Sequence, residues 1–163
     1  MLKKISVLLL IIVVCSCDSN RIFDEYYSVD DAWHKDSIVS FNFSPKDTIS
    51  GRNLFVTLRN NSDYRFSNIF LIVELNYPNG KTTTDTLQYK MAEPNGKFLG
   101  TGFSDVKENK LWFKGHKTPF VFNESGSYTV SLKHAMRENA EVNGVTELKG
   151  ITDVGFRIET LDK

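Results

Sequence analysis

Residues 69–91 constrain the fold more than any other part of the chain. IFLIVELNY is followed by PNG and, after a short polar lead, by TDTLQYKM. Ile69, Leu71, Val73, Leu75 and Tyr77 recur at every second position, the period at which strand side chains alternate between faces. Phe70 and Ile72 make the opposite side partly apolar, which suits a central strand covered on both faces. Asn79-Gly80 tolerates positive φ and marks a turn. Asp85, Leu87, Tyr89 and Met91 then alternate against Thr86, Gln88 and Lys90, so the segment reads as an antiparallel hairpin.

The same period appears along most of the chain. SIVSFNF puts Val39, Phe41 and Phe43 on one face. NLFVTLRNN offers Leu54, Val56 and Leu58, with Phe55 and Thr57 opposite. NKLWFK turns Trp112 away from Leu111 and Phe113, and TPFVF is expected as a further short strand. SYTVSLKHAM alternates through Tyr128, Val130, Leu132 and His134, and GITDVGFRIE through Thr152, Val154, Phe156 and Ile158. KFLGTGFSD, with Gly100 and Gly102, is a loop or tight bend. RENAEVNGVTELKG has room for one helical turn, limited by Gly144 and Gly150. Eight or nine short strands without a long amphipathic helix specify an all-β, single-domain protein. Its expected form is an antiparallel β-sandwich of Ig-like or jelly-roll type.

The N-terminus follows different rules. Lys3 and Lys4 precede a ten-residue run, Ile5 to Val14, broken only by Ser6. As a helix this run would cover about 15 Å, roughly half a bilayer core, so it reads as a signal peptide rather than a retained span. The run ends in Val14-Cys15-Ser16-Cys17, which resembles a bacterial lipobox: an aliphatic residue, two small residues, then cysteine. Cleavage before Cys17 leaves small Ser16 at the cut, whereas cleavage before Cys15 would leave branched Val14. The expected organisation is a removed leader at 1–16, a lipidated N-terminus and short tether at 17–22, and the sandwich at 23–163. Phe23, Tyr26, Tyr27 and Trp33 are expected to pack. A Cys-x-Cys pair rarely meets disulfide geometry, and no second Cys or His cluster completes a zinc site. Cys17 is therefore the expected lipidation residue, holding the chain to a membrane through several acyl chains.

Composition narrows the function. Without residues 1–16, 147 residues remain, with 18 basic and 20 acidic side chains for a net charge of −2. That balance offers no basic patch for nucleic acid. His34, His116 and His134 lie far apart with no metal-ligand spacing, and His134 falls on an apolar strand face, where a packed, hydrogen-bonded role is expected. No serine sits in a G-x-S-x-G elbow, and the mature chain keeps no thiol beyond the acylated one. Asp30-Asp31 and Glu138/Glu141 are carboxylate pairs, but glycosidase chemistry needs two carboxyls about 5–9.5 Å apart across a cleft, which sequence alone cannot nominate. Gly100-Thr101-Gly102 is not a phosphate loop. The expectation is a non-enzyme with no cofactor, metal or small-molecule substrate. Trp112, Phe98 and Phe103 stand near glycine-rich loop sequence and are the candidate contacts for a protein partner or a glycan.

Three blocks carry a resemblance: NLFVTLRNNSDYRFSNIFLIVEL, DTLQYKMAEPNGKFLGTGFSDVKENKLWFK, and GSYTVSLKHAMR with GVTELKGITDVGFRIE. Together they resemble the gliding-motility lipoprotein H (GldH-like) family of Bacteroidetes across nearly the whole mature chain. The resemblance implies a non-enzymatic envelope lipoprotein, anchored at Cys17, that serves gliding machinery bound up with type IX secretion through protein contacts. The expected location is the outer membrane facing the periplasm, rather than the inner membrane that Asp18 would favour in enterobacteria. A glycan-binding envelope lipoprotein is the alternative. Asp36-Ser37-Ile38, Asp47-Thr48-Ile49 and Asp85-Thr86-Leu87 also look like the short O-glycosylation sites of envelope proteins in that phylum, with Thr48 the most plausible.

Overall fold

The computed structural model describes residues 19–138 and 141–161. Among them the regular elements are ten strands and no helix: β1 (Arg21–Ser28), β2 (Ala32–His34), β3 (Val39–Phe43), β4 (Arg52–Asn60), β5 (Asn68–Asn76), β6 (Thr82–Lys90), β7 (Lys107–Lys114), β8 (Tyr128–His134), β9 (Glu147–Lys149) and β10 (Ile151–Thr160). Two four-stranded sheets form, in the orders β1-β10-β4-β7 and β3-β8-β5-β6, and β2 with β9 makes a small third sheet. Every pairing is antiparallel. The chain is an all-β sandwich in one domain, as its alternation requires.

Period-two burial builds the core. Leu54, Val56 and Leu58 of β4 and Val154, Phe156 and Ile158 of β10 face Ile69, Leu71, Val73 and Leu75 of β5 and Val130 and Leu132 of β8. Aromatic rings stitch the layers together: Phe41 stacks on Phe156 at 6.2 Å, and Phe43 lies 4.7 Å from Phe122 and 5.7 Å from Tyr128. β5 lies between β6 and β8, the central position that its two-sided apolar character indicates.

Four details differ from expectation. TPFVF forms no strand. Arg52 and Phe120 share an isolated bridge, while Phe120 and Phe122 pack edge-on at 4.9 Å as the chain crosses between sheets. No helical turn occupies the described part of the segment after Arg137; the three-residue β9 lies there instead. In β10 a bulge between Ile151 and Asp153 buries Ile151 and leaves Thr152 only half-buried. Of the four early aromatics, Trp33 is fully buried and Phe23 and Tyr26 half-buried, but Tyr27 is 62% exposed, because β1 is an edge strand and only part of it is covered.

Gly150 allows the last hairpin to form. It adopts φ +82, and a Cβ there would lie inside contact distance of the Tyr64 backbone nitrogen. Its own amide donates to Asp31 O (2.8 Å), and its carbonyl accepts from Asn61 N (2.9 Å). Only glycine supplies that backbone without strain.

Candidate functional site

Strand direction gives the molecule two distinct ends. Arg21 at the start of β1 pairs with Glu159 near the end of β10, which pairs with Asn53 at the start of β4; Leu54 in turn pairs with Lys114 at the end of β7. Asn20 O accepts from Thr160 N (2.9 Å), tying the first described residues to this end. Cys17 and Cys15 lie outside the described residues. Cys17, the candidate lipid site, stands three positions before Asn20 in the sequence. The opposite end holds the start of β7, the end of β4, and the turns at Asp30-Asp31 and Gly150.

Trp112 lies on the outer face of the first sheet, near the Asn20 end. It is 39% exposed, with its ring 4.4 Å from Phe55 and 4.8 Å from His116. Phe55 and Thr57, on the outward side of β4, are nevertheless buried. Long side chains cover that side: Lys110 Nζ lies 4.2 Å above the Phe55 ring, and Arg59 lies 4.1 Å above Tyr26.

Charges on this face are cross-linked. Arg157 donates to Asp24 (2.8 Å) and to Glu159, Lys110 reaches Glu159 at 2.7 Å, and Arg59 donates to Glu108 at 3.0 Å. Glu159 and Asp24 therefore each carry a cation, which suits a rigid plate better than an acid–base pair. A shallow hollow of about 410 Å³ opens between Trp112, Lys110, Arg157, Glu159, Asn53 and Asn20.

The other two candidate aromatics behave differently. Phe98 is half-buried against the core, and its backbone bridges Ala92. Phe103 is at 113% of its reference exposure, standing fully clear of the fold at the end opposite Asn20. Trp112 and Phe103 thus belong to separate surfaces. Of the three glycosylation-type tripeptides, Ser37 and Thr86 are exposed while Thr48 is half-buried. Asp47 of the Thr48 motif is held below the usual carboxylate range by the Ser50 hydroxyl and the Ser50 and Ile49 amides.

His134 is packed and hydrogen-bonded, as its strand face indicates. It is 4% exposed; Nε2 lies 2.9 Å from Trp33 O, and Met136 N donates to Nδ1 at 3.4 Å. With Nδ1 accepting, Nε2 carries the proton and donates to Trp33 O. Burial pushes the imidazole below its ordinary value, against the opposing pull of the Trp33 carbonyl. The folded chain therefore holds a neutral ring that the unfolded chain protonates below about pH 6.5. Stability should be fully present above that pH and decline as pH falls toward 5.5. Melting curves between pH 7.5 and 5.5 should show a steeper loss in the wild type than in His134→Gln; equal slopes would contradict this assignment.

Among the described residues no helix is long and apolar enough to cross a membrane, and no group of three or more His, Cys, Asp or Glu could hold a metal ion.

Comparison with known proteins gives the chain its relatives. Residues 21–158 match the family model described as GldH lipoprotein. The chain is 53% identical over 152 residues to the gliding motility lipoprotein GldH homolog of Christiangramia forsetii, covering 93% of this chain and 91% of that one. It is 49% identical over 162 residues to the gliding motility lipoprotein GldH of Flavobacterium johnsoniae, covering 99% of each. Among solved structures, a family GH115 4-O-methyl-α-glucuronidase aligns at 9% identity with a TM-score of 0.45. The alignment covers 90% of this chain but only 18% of that enzyme, and so weak a likeness carries no argument. The near full-length matches decide the matter: this chain belongs to the GldH lipoprotein family.

Proposed function

We propose that the protein is a lipid-anchored, non-enzymatic accessory subunit of a gliding apparatus linked to type IX secretion. It works through protein contacts from the periplasmic face of the outer membrane. The observation that carries this reading is the match to two proteins named as gliding motility lipoproteins along more than nine-tenths of the chain. The fold fits such a role. Its titratable groups are tied into structural pairs on the outer face of the first sheet, while single aromatic side chains are left to meet a partner.

Deleting the gene should impair surface spreading and secretion through this route, with both restored by the wild-type gene on a plasmid. Unchanged spreading and secretion in the deletion strain would remove the reading.

A second reading rests on the hollow beside Trp112, where an indole face stands next to hydrogen-bonding side chains, as sugar binding requires. Retention on a polysaccharide matrix, lost in Trp112→Ala, would favour it.

A further inference from the structure

Phe103 is the most exposed large apolar side chain among the described residues, and the loop that carries it is braced. Thr101 and Glu108 exchange backbone hydrogen bonds at 2.9 and 2.8 Å and close the loop. Inside it, Lys107 Nζ donates to Gly102 O at 2.6 Å and to Ser104 O at 2.8 Å. Gly102 takes φ +144, and a Cβ there would lie 2.6 Å from Val106 O. Ser62 Oγ donates to Asp105 Oδ2 at 3.3 Å and ties the loop to the turn after β4. A loop held in this way keeps its aromatic side chain presented to solvent and has little ordering entropy left to lose on binding.

Exposed carboxylates outnumber free ammonium groups around this knob: Lys149 is exposed beside the Asp30-Asp31 turn, while Lys107 turns its ammonium back onto the carbonyls of its own loop. Asp30, Asp31, Asp63 and Asp105 are all exposed at the same end of the sandwich. Asn61 Nδ2 reaches Asp31 Oδ1 at 3.4 Å, linking the Asp30-Asp31 turn to the segment whose Ser62 bonds Asp105 of the Phe103 loop. Asp30 and Asp31 adopt φ of 52° and 62°, a conformation that glycine or asparagine takes more easily.

Position and charge select the partner. Phe103 lies beyond the start of β7, and β7 alone spans about 23 Å along the sandwich from the Asn20 end. With the chain anchored at Cys17, the knob therefore faces away from the membrane that holds the protein. Carboxylates around it are repelled by the negative surface that anionic lipids create, so a bilayer is a poor match and a basic protein surface a good one.

We propose that Phe103 anchors a protein–protein contact at the membrane-distal end, entering an apolar pocket rimmed by Lys or Arg on an envelope partner. This rests on the tethered reading above. The aromatic ring supplies the buried centre of the contact, and the aspartates supply its charged rim and orientation.

The test uses the full lipidated chain in its native membranes. A photoreactive amino acid at Thr101, exposed on the same loop, leaves Phe103 in place, and one at Ile49, 87% exposed on the β3–β4 loop, serves as the control. The Thr101 probe should give a protein adduct whose crosslinked peptide is apolar and flanked by Lys or Arg. Adding Phe103→Ala should reduce its yield roughly tenfold or more, the scale of a central aromatic contact. Asp105→Lys or high salt should weaken it further. Melting temperature and acylation should stay unchanged in Phe103→Ala, since the ring touches nothing in the fold. Adducts to lipid, adducts no stronger than at Ile49, a partner peptide without basic flanks, or a yield indifferent to Phe103→Ala would each overturn the proposal. Failure of the tether would appear separately, as wild-type chain lacking acyl groups.

Discussion

Cys17→Ala is expected to abolish fatty-acid labelling completely and to leave the precursor uncleaved, whereas Cys15→Ala leaves both labelling and processing intact. The argument is one of small-residue spacing: Ser16 at the cut fits a lipoprotein signal, and Val14 does not. The expected effect is all-or-none because the sequence holds no cysteine after Cys17. With the proposed cut before Cys17, residues 17–163 carry a net charge of −2 and no apolar run of spanning length, so on this reading the acyl chains are the expected membrane attachment. Each buried methylene adds about 0.8 kcal/mol, which makes a multiply acylated cysteine effectively permanent and its absence decisive. Labelling with a palmitate analogue reads the result directly. If Cys15→Ala removed the label and Cys17→Ala did not, the cleavage site would lie two residues earlier.

Trp33→Ala should cause the largest loss of stability among single core truncations. The side chain is fully buried, its indole N–H donates to Ser37 O at 3.0 Å, and its ring meets His134 edge-on at 5.5 Å. Its backbone carbonyl accepts from His134 Nε2, a bond to the main chain that the substitution does not itself remove. Removing it leaves a large cavity and a destabilisation of about 3–5 kcal/mol. Against a total of about 5–15 kcal/mol for a typical domain, that brings the fold near its threshold. For a domain of about 150 residues the melting temperature should fall by about 10 °C. Trp33→Phe keeps most of the volume and should lose much less. Thermal unfolding followed by far-UV circular dichroism measures both, and a fall of less than 3 °C in Trp33→Ala would show that Trp33 does not hold β2 and β9 to the sandwich.

The strands legible in the sequence were those whose alternation runs long enough to show a buried face. β5 is the clearest, with Ile69, Leu71, Val73 and Leu75 all fully buried, and its hairpin partner β6 follows from Asn79-Gly80. β2 and β9 have three residues each, too few to display a period, and are recognisable only once Trp33 and Leu148 are seen facing each other. β1 hides for another reason. It is an edge strand whose inward contribution is mainly Phe23, while Tyr26 lies opposite Gly155, where a Cβ would stand 2.8 Å from the tyrosine ring. TPFVF looks like a strand because its rings are spaced at two, but Phe120 and Phe122 fill a corner between sheets instead of joining a ladder.

The candidate surfaces were legible only in part. Trp112 facing away from Leu111 and Phe113 follows from parity along β7, and the fold puts it on the outer face accordingly. Parity gives nothing for Phe98 and Phe103, which share one glycine-rich stretch yet end as a packed ring and a bare one. The difference comes from tertiary contacts: Ala92 bridges Phe98, while Lys107 locks the backbone on either side of Phe103. The charged plate under Trp112 was invisible for a similar reason. Asp24 and Arg157 meet across 133 positions of sequence, and Lys110 and Glu159 across 49, so only strand order brings them together.

The central claim is that this sandwich acts from an acylated N-terminus, and the mass of the native mature N-terminal peptide tests it most directly. After detergent-phase partition of cell envelopes, that peptide should begin at Cys17, with a thioether-linked diacylglycerol on sulfur and an acyl group on the amine. A native chain that begins at any other residue, carries no lipid and partitions into the aqueous phase would contradict the account.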